Sequence, residues 1–145
     1  MKKVYNKHIG AYGILIRNGK IALIIKTRGG YKGKLDLPGG GIEHNETPTE
    51  ALKREIMEEA GVIVVSYKLF DTITTNLTWQ MTNDTIEDLH HFGILYRVKA
   101  KGKLKTTPDG IDSGGCKWYE INKLHKDEVT PFVLYSLEKS GYKLQ

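Results

Sequence analysis

The sequence predicts an α+β (or α/β) layered fold, a mixed β-sheet sandwiched between helices, and three observations carry that expectation. Apolar runs rich in Ile and Val recur along the chain, separated by short polar or glycine-rich turns. Two segments, one starting at Pro48 and one at Pro131, carry helix start signals instead. Strands, a helix, more strands and a last helix follow one another, which is the order of a layered domain. The 145 residues fit one domain, 1–145, with no internal repeat, low-complexity tract or linker.

The elements follow in chain order. "HIGAYGILIR", His8 to Arg17, and "KIALIIKT", Lys20 to Thr27, are joined by Asn18-Gly19, the strongest short hairpin signal. "RGGYKGK", Arg28 to Lys34, is a basic loop. "LDLPGGG" brings an extended piece to the glycine turn Gly39 to Gly41. Thr47-Pro48-Thr49-Glu50 is a capping box with Pro at the first helical position, and Gly61 is a stop, so a helix is expected over Pro48 to Ala60. Strands are expected over Val62 to Phe70, Asp71 to Trp79 and Leu89 to Ala100, with a polar loop at Thr82 to Asp88. "KTTPDGIDSGG" is a loop and "CKWYEI" a short strand. Thr130 caps the last helix, which runs to about Ser140.

Composition narrows the partners. Hydrophobic residues make up 39% and charged residues 27%, so an ordinary globular core is expected. No apolar run reaches transmembrane length, and the lysines of "MKKVYNKHIG" precede no apolar stretch, so neither a membrane partner nor a signal peptide is expected. Cys116 is the single cysteine, which suits a reducing cytoplasm. The net charge of +5 and pI of about 9.2 suit anionic partners. The lysines are scattered, with the densest group in "VKAKGKLK", Val98 to Lys105, read as a solvated loop or strand edge. Charge alone thus favours a phosphate-bearing partner without choosing among phosphates; a nucleic acid is not the expected partner, and the chain is compatible with a homodimer.

The first helix ends strangely. Glu55, Glu58 and Glu59 crowd its last turns, where the helix dipole disfavours anions and neighbouring carboxylates repel. At about 100° per residue, Leu52, Ile56, Met57 and Ala60 gather on a core face. The glutamates gather on nearly the opposite face, around Ala51. No lysine follows at i+4 to relieve them. A hard divalent cation would, because it takes carboxylate oxygens together with substrate phosphates. By spacing alone, Arg54 pairs with Glu50 or Glu58, and Glu46 is an acid near a helix N-terminus.

The wider stretch resembles the Nudix box, G-x5-E-x7-R-E-U-x-E-E-x-G-U with U aliphatic. Gly40, Glu46, Arg54, Glu55, Ile56, Glu58, Glu59, Gly61 and Val62 fill every specified position. "LPGG", Leu37 to Gly40, resembles the usual lead-in, with Leu35 where a tryptophan is common. The resemblance implies a Nudix fold and a pyrophosphatase acting on a nucleoside diphosphate linked to another moiety, with Mg²⁺ or Mn²⁺. It makes Glu55, Glu58, Glu59 and the Gly40 carbonyl metal-ligand candidates. It also makes Arg54 the residue that orients the glutamates and Glu46 a brace between loop and helix. Glu58 or Glu59 is expected as general base, with Asp84, Glu87, Asp88, Asp109 and Asp112 as candidates outside the box. Gly39 would let the backbone bend beside the substrate.

Beyond the box, Arg28 and Lys34 could meet substrate phosphates, and Trp79 could either stack on a base or sit in the core. His90 and His91 alternate on a strand, so one points inward. The markers of the ADP-ribose, NADH and coenzyme A subgroups are missing, which leaves small MutT-like enzymes acting on nucleoside triphosphates, including non-canonical ones. Dinucleoside polyphosphates or nucleotide sugars are the alternative. A non-catalytic nucleotide- or RNA-binding regulator is the alternative of another class; such proteins often lose box glutamates, and this chain keeps them all.

Overall fold

A computed structural model describes residues 1–108, 110 and 113–145. The strands are β1 (Lys2–Ile14), β2 (Ile16–Arg17), β3 (Lys20–Lys26), β4 (Leu35–Asp36) and β5 (Gly39–Gly41), then β6 (Ile63–Gln80), β7 (Thr85–Lys101) and β8 (Ser113–Glu120). The helices are α1 (Pro48–Ala60) and α2 (Pro131–Lys139). Two sheets form, the first mixed and the second antiparallel. The first has the order β5-β1-β7-β6, with β1 parallel to β7 and the other pairs antiparallel. In the second, β3 pairs with β2 and β4 on one edge and with β8 on the other.

The chain changes sheets at Leu15. β1 is apolar and buried from Gly10 onward, where it is covered on both faces, and β2 then turns back on β3 through Asn18 and Gly19. Both turn residues have positive φ, 53° and 73°, as a two-residue hairpin turn of this type requires. Two apolar clusters result. Leu52, Ile56 and Ala60 of α1 pack with Ala11, Leu15, Ile24, Val98 and Cys116. Phe132, Val133 and Leu137 of α2 pack with Tyr12, Ile14, Leu23 and Leu95.

Several expectations change. The strands expected over Val62 to Phe70 and Asp71 to Trp79 are one strand, β6. A register shift between Leu69 and Asp71 is absorbed as a bulge, so pairing with β7 continues. The expected loop at Thr82 to Asp88 shrinks to a turn, because Thr85 to Asp88 already pair with β1 and β6. β1 starts at Lys2 and not His8, since its polar first half pairs with Thr85–His90 at the outer end of the sheet, where both faces meet water.

Candidate active site

Helix α1 forms as its sequence dictates. Thr47 Oγ1 accepts from the Glu50 amide at 3.2 Å, and the Glu50 carboxylate accepts from the Thr47 amide at 2.9 Å. Glu50 is thereby engaged at the cap and does not pair with Arg54. Met57 is 45% exposed, not in the core, and Glu59 takes the buried place instead at 4% exposed. The reason is tertiary: α1 lies over the glycine turn of β5, which supplies a peptide donor to a carboxylate but no pocket for a thioether.

Arg54 organises the acids. Its Nε and Nη2 grip Glu46 at 2.7 and 2.9 Å, a bidentate pair. Nη1 donates to Glu55 at 2.8 Å and to Glu58 at 3.3 Å, and Nη2 donates to the Gly41 carbonyl at 3.0 Å. These bonds, first the Arg54 guanidinium and then the Glu43 amide, hold the Glu46 carboxyl down at about 2. Arg54 itself is pushed further up by the same carboxylates. One guanidinium thus compensates Glu58 at i+4 and, beyond helical spacing, Glu46 and Glu55.

The glycine turn meets the helix at close range. The Gly39 amide donates to Glu59 Oε1 at 2.8 Å. Gly40 lies so near Glu55 that a Cβ on it would stand 2.7 Å from the carboxyl carbon. Glu55, Glu58, Glu59 and the Gly40 backbone therefore share one end of the molecule. Three carboxylates and a peptide carbonyl form the donor set of a hard divalent cation. Among the described residues no three such side chains converge as a ready metal shell, so the match is one of donor chemistry. The site residues fit such an ion in chemistry, and Arg54 pre-aligns two of them.

Across β5 from these acids lies a cavity of about 160 Å³ lined by His8, Tyr12, Lys26, Arg28, Tyr31 and His91, among others. His8 is its link to the glycine turn, with Nε2 3.3 Å from where a Cβ on Gly41 would stand. His91 points inward and shares a hydrogen bond between Nε2 and the Tyr12 hydroxyl at 2.7 Å, while His90 stacks near Phe92 on the other face. Burial, then His8 and Lys26, lower His91 to about 3, so its ring is neutral at ordinary pH. Burial and then Lys26 lower His8 as well.

The remaining candidates spread out. Arg28 lines the cavity, whereas Lys34 does not, and its Nζ donates to the Asp127 carbonyl. Trp79 packs against Gly30 of the basic loop and donates from Nε1 to Glu87 at 2.7 Å, beside the cavity but not in it. Glu87 also accepts from Asn6, Asp88 pairs with Lys3, and Asp84 accepts from Thr82 and Thr85, all at the outer end of the first sheet. Asp109 and Asp112 lie outside the described residues. The sequence reading missed His8, Tyr12, Lys26 and Tyr31. Tyr12 and Lys26 leave only the signal of a lone polar residue in an apolar strand, and His8 and Tyr31, at the strand's exposed part and in the basic loop, leave none.

Comparison with known proteins agrees with this geometry. The NUDIX domain family matches residues 6–138. An ADP-ribose pyrophosphatase of Methanocaldococcus jannaschii is 47% identical over 115 residues, covering 79% of this chain and 62% of that protein. An 8-oxo-dGTP diphosphatase of Haemophilus influenzae is 38% identical over 60 residues, 39% of this chain and 44% of that protein. The chain thus spans less than two thirds of these curated relatives. The crystal structure of a MutT NUDIX hydrolase from Burkholderia pseudomallei shares the fold, with a TM-score of 0.73, 24% identity, and coverage of 92% of this chain and 97% of that one.

Proposed function

Since the chain belongs to the NUDIX domain family, we propose that it hydrolyses the diphosphate bond of a nucleoside diphosphate linked to another moiety. The observation that carries this reading is the Arg54 clamp, which gathers Glu46, Glu55, Glu58 and the Gly41 carbonyl beside the glycine turn. Carboxylates placed on one side of that turn and a basic cavity on the other suit a diphosphate laid across it. A bound divalent cation, Mg²⁺ or Mn²⁺, would neutralise phosphate charge and activate water there. The chain's own groups do the rest. Glu58, 57% exposed where Glu46 and Glu55 are largely buried, is reached by water and takes the proton of the attacking molecule at its carboxylate. Glu55 and Glu59 would hold the ion, with Glu59 fixed by the Gly39 amide. Arg28 and Lys26 line the cavity on the phosphate side and bind the anion.

ADP-ribose is the leading substrate, because the M. jannaschii relative matches across 79% of the chain. Nucleoside triphosphates are the second reading, supported by the 8-oxo-dGTP diphosphatase matches and by the missing ADP-ribose marker residue near Leu77 and Thr78. A panel of ADP-ribose, nucleotide sugars, dinucleoside polyphosphates and canonical and oxidised nucleoside triphosphates with Mg²⁺ or Mn²⁺ tests both. Glu58→Gln or Glu59→Gln should lower kcat by at least ~100-fold on the best substrate. Tight nucleotide binding without turnover of any panel member would favour the non-catalytic regulator instead.

A further inference from the structure

The cations that look scattered in the sequence gather where the two sheets part. Beyond Ile14, β1 leaves β7 and crosses to the second sheet, so the end of β7 faces β2 and β8 across a gap. Two adjoining hollows open there, of about 340 and 300 Å³, sharing Ile16, Val98 and Lys99. Arg17, Lys68, Arg97 and Lys99 line them, and no carboxylate does. Among the described residues none of these four cations, nor Lys101, forms an ion pair.

Both arginines are held in place by neutral partners. Arg17 stands 5.2 Å over the Trp118 ring and donates to the Ala100 carbonyl at 3.2 Å. Arg97 stands 4.9 Å over Phe70 and donates to Ser140 Oγ at 2.8 Å. A guanidinium has five N–H donors, so each keeps most of its fork, with little rotamer freedom left to lose. Arg97, Lys99 and Lys101 alternate along β7 and share a face, which spaces charges by about 6.8 Å along a line. A linear row of unneutralised cations matches a chain of anions, and the arginines match phosphate geometry.

We infer that this open end of the two sheets binds the phosphodiester backbone of a single-stranded nucleic acid, at a surface separate from the glycine turn and its acids. The contacts are to phosphates, so binding is sequence-tolerant and salt-sensitive. The inference does not depend on the proposed hydrolysis.

Fluorescence anisotropy of a labelled single-stranded oligonucleotide of about 12 residues tests it, on the full chain. Binding should weaken with salt, with log K against log[salt] sloping by about −2 to −3 for three or four phosphate contacts. Lys68→Glu with Lys99→Glu should weaken binding by at least ~10-fold at low salt. Arg17→Gln with Arg97→Gln should do the same without reversing charge, and thermal melts confirm that each variant folds. Lys2→Glu with Lys7→Glu, exposed lysines at the far end of β1, alters net charge equally and should leave affinity within about two-fold. Hydrolysis of the best small substrate should be unchanged in all of these variants. The inference is overturned if both lysine pairs weaken binding alike, if the patch variants bind as the parent does, or if inorganic triphosphate or the small substrate displaces the strand at equal phosphate concentration.

Discussion

Arg54 is the residue on which the acids depend. Without it, Glu46, Glu55 and Glu58 lose the guanidinium they share, so Arg54→Ala should lower kcat by about 10–100-fold, as loss of an outer orienting contact does. Arg54→Lys should recover little, because an ammonium cannot fork onto Glu46 while reaching Glu55 and the Gly41 carbonyl. Two titrations near the site give separable pH signatures. Glu46 is held at about 2 against an ordinary 4.5, so its contribution is complete above about 4.5 and is lost as pH falls toward 2. His91 is held at about 3 against an ordinary 6.5, so the unfolded chain binds the extra proton and stability falls as pH drops from about 6.5 toward 3. Urea midpoints measured against pH should therefore lose slope above pH 4.5 in His91→Gln and lose it mainly below pH 4.5 in Glu46→Gln. An unchanged profile in either variant would remove that group from the account.

Helix α1 shows how one element serves both fold and site. Its start rests on the Thr47–Glu50 capping box, and Thr47→Ala should cost about 1 kcal/mol by chemical denaturation. Its face assignment is less regular than a wheel suggests. Met57→Gln should leave stability within about 0.5 kcal/mol, because the side chain is exposed. Glu59→Ala should cost about 1–3 kcal/mol by stranding the buried Gly39 amide, whereas Glu59→Gln keeps an acceptor there and removes a buried charge. Glu59→Gln should then fold at least as stably as the parent in EDTA while losing turnover, which divides the residue's structural part from its chemical one.

At the scale of the molecule, β1 is the hinge of the design. It carries Gly10 and Tyr12 beside β5, where helix, glycine turn and cavity meet, and then opens the gap between the sheets by crossing at Leu15. The close approach at β5 leaves no room for error. Gly40→Ala should push the Glu55 carboxylate aside and lower kcat by about 100-fold, since displacements near 1 Å cost that much. Ligand linkage is the global readout: a non-hydrolysable substrate analogue with Mg²⁺ at about 100 times its Kd stabilises by about 2.7 kcal/mol. For a domain of this size that raises Tm by about 8–14 °C. Glu59→Gln should show a distinctly smaller shift, and an equal shift in parent and variant would remove Glu59 from the ion site.

Local signals in the sequence determined the hairpin at Asn18-Gly19, the capped start of α1, Pro131 at the start of α2, and the acid pattern of residues 40–62, because turns, caps and fixed spacings act over a few residues; Thr130, expected as a cap, instead donates its hydroxyl to Asp36 at 2.7 Å, since β4 lies against the helix start. Only the tertiary structure decided that Arg54 compensates Glu46, Glu55 and Glu58 together, since Glu46 comes to the helix by way of a loop. It decided that Glu59 is buried and Met57 is not, because a peptide donor from another strand outweighs helical periodicity. It joined the two expected strands into β6, since a long partner can carry pairing across a bulge. It also gathered His8, Tyr12, Lys26 and His91 around one cavity, and Arg17, Lys68 and Arg97 around one gap. Residues so far apart in sequence leave no periodic trace, and it is the pairing of β1 with β7 and of β6 with β7 that sets them side by side.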